Sequence, residues 1–364
     1  MVSRTLVRYF GMRFLGAVMS VFLGIFVLIV LVDYIELMRR AADVPHLSGW
    51  MVAKTSIFRV PQLTERLLPF SVLVGAMTCY LALSRRNELV VARSAGMSAW
   101  QFVAPALIVA FLMGIVATAV YNPLSAVMRE WSKKLEAEMF GEQKNPLQQQ
   151  NATGFWVRQR TSEGQSIVYA ASSQEQGVRL DGVSVFTFDP AGKALERIEA
   201  KHATLEPGQW RLEQARIYVS GQPPKERDTL AVKTNLTSAQ VRESFSTPET
   251  VPFWELPAYI EIAERSGLVA AGYKFQYQTL IARPFLLCAM VLLACSVSLR
   301  FFRFGGVPRM VLSGVAAGFL LYVLSKITED LAKADLLHAA AAAWLPVLAG
   351  GLTGLVVLLY QEDG

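Results

Sequence analysis

The sequence predicts a membrane α-helical protein with six transmembrane helices and an all-β domain inserted after the third. Three observations carry that prediction. Hydrophobic residues make up 53% of the 364 residues and only 18% are charged, too apolar a balance for a water-soluble globule of this length. Six apolar stretches meet or approach the ~20 helical residues that a bilayer core about 30 Å thick requires. Between the third and fourth of these lies a long polar region of alternating, turn-punctuated texture.

The six stretches run Phe14 to Val32, Leu67 to Leu83, Trp100 to Met128, Thr279 to Leu299, Met310 to Ser325 and Ala339 to Tyr360. The first is as long as a full span and is followed by no small-residue cleavage pattern, so it reads as a retained helix and not as a removed signal peptide. The third lies in a charge-free interval of 35 residues between Arg93 and Arg129. At 1.5 Å per residue that interval exceeds a bilayer core, so the helix should tilt or project beyond the lipid. The fifth is short, but Arg309 and Lys326 at its ends can snorkel to the headgroups.

Orientation follows from the basic residues beside the spans. Arg4, Arg8 and Arg13 precede the first, Arg85, Arg86 and Arg93 join the second to the third, and Arg300, Arg303 and Arg309 join the fourth to the fifth. Alternate loops are therefore basic, which predicts cytoplasmic termini and a polar insert facing outward, toward the periplasm of a cell with two membranes. The whole positive excess sits near the spans, because Arg129 to Lys274 holds 18 Lys and Arg against 19 Asp and Glu. A nucleic-acid binder would concentrate its cations on a folded domain instead.

The insert, Trp131 to Gly272, carries period-two segments: GFWVRQR, SIVYAA, GVSVFTFD, ATLEPGQWRLEQARIYVS and DTLAVKTNL. Asp189-Pro190-Ala191-Gly192 and Pro207-Gly208 supply turns between them. The pattern predicts a sandwich, jelly roll or barrel, with helix returning around Pro257 to Arg265.

Catalytic chemistry finds little support. Cys79, Cys288 and Cys295 all fall in apolar runs, and His46, His202 and His338 stand apart from one another, so neither a disulfide framework nor a zinc site is indicated. GxxxxGK[ST], HExxH and GxSxG are all missing from the sequence.

The connector SRRNELVVARSAG, Ser84 to Gly96, is the most informative short stretch. Ser84 or Asn87 can cap a helix start, Glu88 complements the positive helix end, and Gly96 suits the residue after the last turn. Helical spacing then places Glu88, Val91, Ala92 and Ala95 on one side, an apolar strip headed by a carboxylate. Two readings are open: an interfacial helix on lipid, or a coupling helix in the groove of a cytoplasmic ATPase. A helix lying on lipid gains nothing from Glu88 beside its apolar strip.

NELVVARSAG after the second span, VKTNLT (Val232 to Thr237) late in the β region and GVPRMVLSGVAAGFLLYVLSKI (Gly306 to Ile327) in the fifth span resemble the lipopolysaccharide-export permeases, the LptF/LptG family, on its LptG side. The resemblance covers nearly the whole chain. It implies an inner-membrane permease subunit of an ABC transporter, with segments 1–130 and 273–364 as two three-helix halves around a periplasmic β-jelly-roll at 131–272. It implies as partners an LptF-like permease subunit, an LptB-like ATPase dimer, an LptC-like membrane-anchored protein, an LptA-like periplasmic bridge and lipopolysaccharide itself. No cofactor is then required in this chain, ATP and Mg being held by the ATPase.

Carried onto this sequence, the coupling helix is about Arg86 to Gly96, with Arg86, Glu88, Leu89, Val91, Ala92, Ala95 and Gly96 as contact residues and Glu88 as the carboxylate that meets the ATPase. On the outer side, Arg39 and Arg40, and beyond the third span Arg129, Lys133 and Lys134, are candidates for lipid phosphates, since guanidinium forks and ammonium groups suit phosphate oxygens. The competing reading is internal pairing, Glu36 and Arg40 being an i, i+4 pair. The sequence departs from the family at Asp33 or Val32, where a lysine is usual; an acid there can hold an arginine in place or pair with the second permease subunit. Lys326, Glu329, Asp330 and Lys333 read as a satisfied surface network, with a lateral-gate or LptC contact as the alternative. The rivals of other classes are a membrane anchor or receptor, which needs no coupling helix, and a lipid hydrolase, which would alter the mass of its lipid.

Overall fold

The computed structural model of the protein describes residues 4–42, 48–88, 91, 94, 96–140, 155–161, 164–174, 178–188, 194–219, 223–234, 248–265, 270–302 and 307–363. They divide into a helical unit and a β unit, each compact in itself.

Six long helices make up the helical unit: α1 (Arg4–Ala41), α2 (Gly49–Arg85), α3 (Ala99–Phe140), then, after the insert and a short helix α4 (Leu256–Arg265) that belongs to the β unit, α5 (Ala271–Phe302), α6 (Val307–Lys333) and α7 (Ala339–Asp363). By length and composition each of the six is able to cross a membrane. Together with the insert they give the expected class, a helical membrane protein carrying a β domain.

Several helices outrun the apolar stretches that predicted them. α2 begins 18 residues before Leu67 because its polar first half still has something to bury: Val52 packs with Leu37 and Ala41 of α1 and Met139 of α3 in a small separate core. α3 spans 42 residues, about 63 Å at helical rise, longer than a ~30 Å bilayer core is thick. A π turn at Ala117–Tyr121 interrupts it where its apolar half gives way to the charged half. The main core gathers Phe10, Phe14 and Val18 of α1, Val72, Leu73 and Ala76 of α2, Phe102 and Val103 of α3, and Leu287, Val291 and Ala294 of α5. Small residues permit the closest crossings, as bilayer packing demands. A Cβ added to Gly75 of α2 would stand 2.6 Å from the Cα of Val18.

Among the described residues the β unit carries one antiparallel sheet of six strands, β1 (Phe155–Thr161), β2 (Gly164–Gln174), β3 (Arg179–Phe188), β4 (Ala194–Glu206), β5 (Gln209–Val219) and β6 (Lys225–Lys233), in sheet order identical to chain order. Pro207 and Gly208 make the β4–β5 turn, Gly208 taking φ +81°. Across that turn the Gln209 amide donates to Glu206 at 2.9 Å and Arg211 lies beside it, which together hold the Glu206 carboxyl below its ordinary value.

A crease crosses this meander. Pairing is interrupted where Ala171, Gly182, Lys201 and Gln214 face one another on successive strands. Gly182 and Gln214 there have positive φ, 62° and 52°. The buried positions change parity at the same line: Leu180 but Val183 and Val185 on β3, Ile198 and Ala200 but Ala203 and Leu205 on β4, Trp210 and Leu212 but Ala215 on β5. An irregularity of this kind bends a strand and re-aims its side chains. The bend lets a single sheet bury apolar residues from both halves into one core.

Candidate functional site

The segment between α2 and α3 is built on a break in the helix. Arg86 and Asn87 end α2 through bonds from their N–H groups to the carbonyls of Ala82 at 3.2 Å and Ser84 at 2.9 Å. Asn87 then adopts φ +57°, a left-handed conformation that asparagine tolerates better than most residues. Helix resumes at Glu88, with the Val91 N–H donating to the Asn87 carbonyl at 3.0 Å, and Gly96 at φ +83° precedes the restart at Ala99. Val91 is 64% exposed, and Arg86 and Gly96 are also open to the surroundings. Leu89, Ala92 and Ala95 lie outside the described residues.

Glu88 meets α1. The Tyr9 hydroxyl donates to Glu88 Oε2 at 2.9 Å, and Arg13 Nη2 stands 3.8 Å from Oε1. Arg13 in turn lies over the Tyr9 ring, 5.4 Å from its centroid. Sequence reading counts Arg13 only as a basic flank and passes over Tyr9, since nothing local ties either to a residue more than seventy positions away.

At the other end of α1 the predicted cations separate into paired and surplus charge. Arg39 and Arg40 both bind Glu36, each at 2.9 Å, so two guanidiniums share one carboxylate. Asp33 faces Arg59 of α2 at 3.5 Å, and Arg59 and Arg129 each lie 3.6 Å from Glu136 of α3. Asp33, Arg59, Glu136 and Arg129 thus form a balanced, largely buried chain across three helices. Lys134 pairs with Glu130 at 3.0 Å, whereas Lys133 has no ion-pair partner among the described residues. The anion-binding candidates with surplus charge are therefore the Arg39–Arg40 pair and Lys133.

Two polar clusters go beyond the sequence reading, the second by adding Glu249 and Arg66 to the network already expected at Lys326 to Lys333. Glu65 of α2, nearly buried, accepts from Arg283 of α5 at 2.6 Å, from the Asn122 amide of α3 at 2.8 Å and from the Ser125 hydroxyl at 2.5 Å. Asn122 Oδ1 also accepts from the Phe253 N–H at 2.9 Å, and the Trp254 indole donates to the Ala119 carbonyl in the π turn at 3.2 Å. The signal available was a lone arginine inside the fourth apolar stretch, which in a membrane demands a partner. The second cluster centres on Glu249, which holds Arg66 of α2 at 3.0 Å and Lys333 of α6 at 3.2 Å. Lys333 also binds Glu329 at 2.6 Å, and Lys326 reaches Glu329 and Asp330, so the charges at the end of α6 are mutually satisfied.

Among the described residues no group of three or more His, Cys, Asp and Glu could hold a metal, and Cys79, Cys288 and Cys295 are free thiols. Comparison with known proteins agrees with the architecture. The chain is 22% identical over 362 residues to the lipopolysaccharide export system permease protein LptG of Escherichia coli K12, covering 98% of each chain. It is 22% identical over 363 residues to the protein of the same description from Haemophilus influenzae, covering 94% of this chain and 95% of that one. The profile of the lipopolysaccharide export system permease LptF/LptG family matches residues 8–360, and with that match spanning nearly all of it, this chain belongs to the LptF/LptG family.

Proposed function

We propose that this chain is the LptG-like permease subunit of an ABC transporter that extracts lipopolysaccharide from the outer leaflet of the bacterial inner membrane and passes it to a periplasmic bridge of β domains. In this reading 1–130 and 273–364 are the transmembrane halves, with both termini in the cytoplasm, and 131–272 is the periplasmic domain. An LptF-like subunit completes the lipid cavity, an LptC-like protein and an LptA-like bridge continue the route, and an LptB-like dimer hydrolyses ATP. The chain itself is non-catalytic.

One observation carries the reading: the carboxylate-headed turn at Glu88 with the exposed Val91, displayed between two candidate spans on a chain whose sequence lacks GxxxxGK[ST]. A motor supplied from outside needs such a grip. A sheltered path is needed as well, because exposing acyl chains to water costs about 0.8 kcal/mol per methylene, more than one hydrolysis event supplies for a multi-acyl lipid.

The test is assembly in detergent. The tagged chain, expressed with its permease partner and an ATPase lacking membrane spans, should retain that ATPase and hydrolyse ATP, and Glu88→Lys should lose both. Retention and hydrolysis undiminished in Glu88→Lys remove the assignment, as would a lipid product of altered mass after turnover.

A further inference from the structure

We propose that Tyr9 and Arg13 are positioning residues that tie the Glu88 segment to α1, so that a displacement of that segment moves α1 directly. The inference rests on the reading of Glu88 as the ATPase contact.

The segment is poorly placed to act through α2 alone. Asn87, at φ +57°, puts a turn between Glu88 and the end of α2, and two internal prolines, Pro61 and Pro69, lie farther along that helix. Contact with α1 bypasses both. Tyr9 and Arg13 are four residues apart and therefore share a face of α1. Between them they engage both Glu88 oxygens, Tyr9 at 2.9 Å and Arg13 at 3.8 Å. A carboxylate offers about four acceptor positions, and the Glu88 side chain is still 27% exposed, which leaves room for a cation brought by a partner.

α1 is also the helix suited to carry a displacement. It runs 38 residues without an internal proline, whereas α2, α5 and α7 contain proline and α3 contains both proline and the π turn. Proline and π turns are where helices kink. About 30 Å beyond Arg13, at helical rise, the same helix carries Asp33, tied to Arg59, and then Glu36 with its two arginines. One unbroken element therefore joins the carboxylate at one end to the surplus cations at the other.

The experiment uses the complete transporter in proteoliposomes and measures ATPase retention, ATP hydrolysis and lipopolysaccharide released per ATP. Tyr9→Phe and Arg13→Gln should keep the ATPase attached yet lower release per ATP by about three- to tenfold, the span of a typical lost hydrogen bond. Arg13→Lys, which keeps the cation, should restore most of the release. In a Glu88→Gln background neither substitution should lower release further, since the link is already cut. Native release per ATP in both single variants, or losses that add to those of Glu88→Gln, overturns the inference. Failure of the underlying reading is separate: Glu88→Lys would then leave ATPase retention intact.

Discussion

Glu65 and Arg283 form a buried ion pair 218 residues apart in sequence, their 2.6 Å contact closing α2 against α5 beside the π turn of α3. Asn122 and Ser125 also donate to Glu65, so the carboxylate has protein partners in place of water. Removing one member leaves the other charged and unpaired in an apolar surrounding, at a cost of about 3–5 kcal/mol. Glu65→Ala or Arg283→Ala should therefore sharply lower the unfolding temperature in detergent. Glu249→Ala, which loses partly exposed pairs worth ~0–1 kcal/mol each, should lower it far less. Equal losses in the two variants would show that the buried pair carries no special weight.

The contrast marks where sequence reasoning reaches and where it stops. All six candidate spans could be read because each is a long apolar run, charged only at Arg283 in the fourth, and most strands because their alternation has period two. The first half of α2 was invisible: Lys54, Arg59 and Arg66 break its apolar pattern, and its helical state depends on packing by Leu37 and Met139, which the local sequence does not hold. The crease through Gly182 and Gln214 escaped for a similar reason, since only pairing shows that the two positions lie on one line across the sheet. At the candidate site, residue types announced charge but not how it balances. Asp33, which the sequence left open between an arginine of this chain and the second permease subunit, faces Arg59, while the Tyr9–Glu88 bond joins helices that no spacing relates.

Charge balance at the far end of α1 separates candidates that the sequence treats alike. Arg39 and Arg40 share Glu36, Lys134 has Glu130, and Lys133 has no ion-pair partner among the described residues. An anion gains most where it meets a cation not already neutralised, because displacing an existing carboxylate cancels much of the attraction. Lipopolysaccharide co-purifying with the complex should fall about two- to fivefold in Lys133→Ala and in the Arg39→Ala, Arg40→Ala double variant, corresponding to ~0.5–1 kcal/mol of lost contact. Lys134→Ala should change it little. A larger effect at Lys134 than at Lys133, measured as bound lipid per complex, would reject surplus charge as the rule that selects the phosphate contacts.

Gly114 gives the sharpest test of the helical core. A Cβ added there would meet the Pro284 backbone of α5, with Cα at 2.3 Å and N at 2.9 Å. Neither atom can swing aside as a side-chain tip would, so α3 and α5 must separate, and overpacking of this kind costs about 1–3 kcal/mol. Gly24, on the exposed side of α1, has nothing within 4 Å of the corresponding position. There alanine replaces glycine inside a helix without a clash and gains up to ~1 kcal/mol from backbone entropy. Gly114→Ala should therefore lower the melting temperature in detergent while Gly24→Ala leaves it unchanged or raises it. Because both substitutions add the same methyl group to a helix, helix propensity cannot produce opposite shifts. Only the crossing of α3 over Pro284 can, and a Gly114→Ala protein as stable as the native one would mean that the two helices do not touch there.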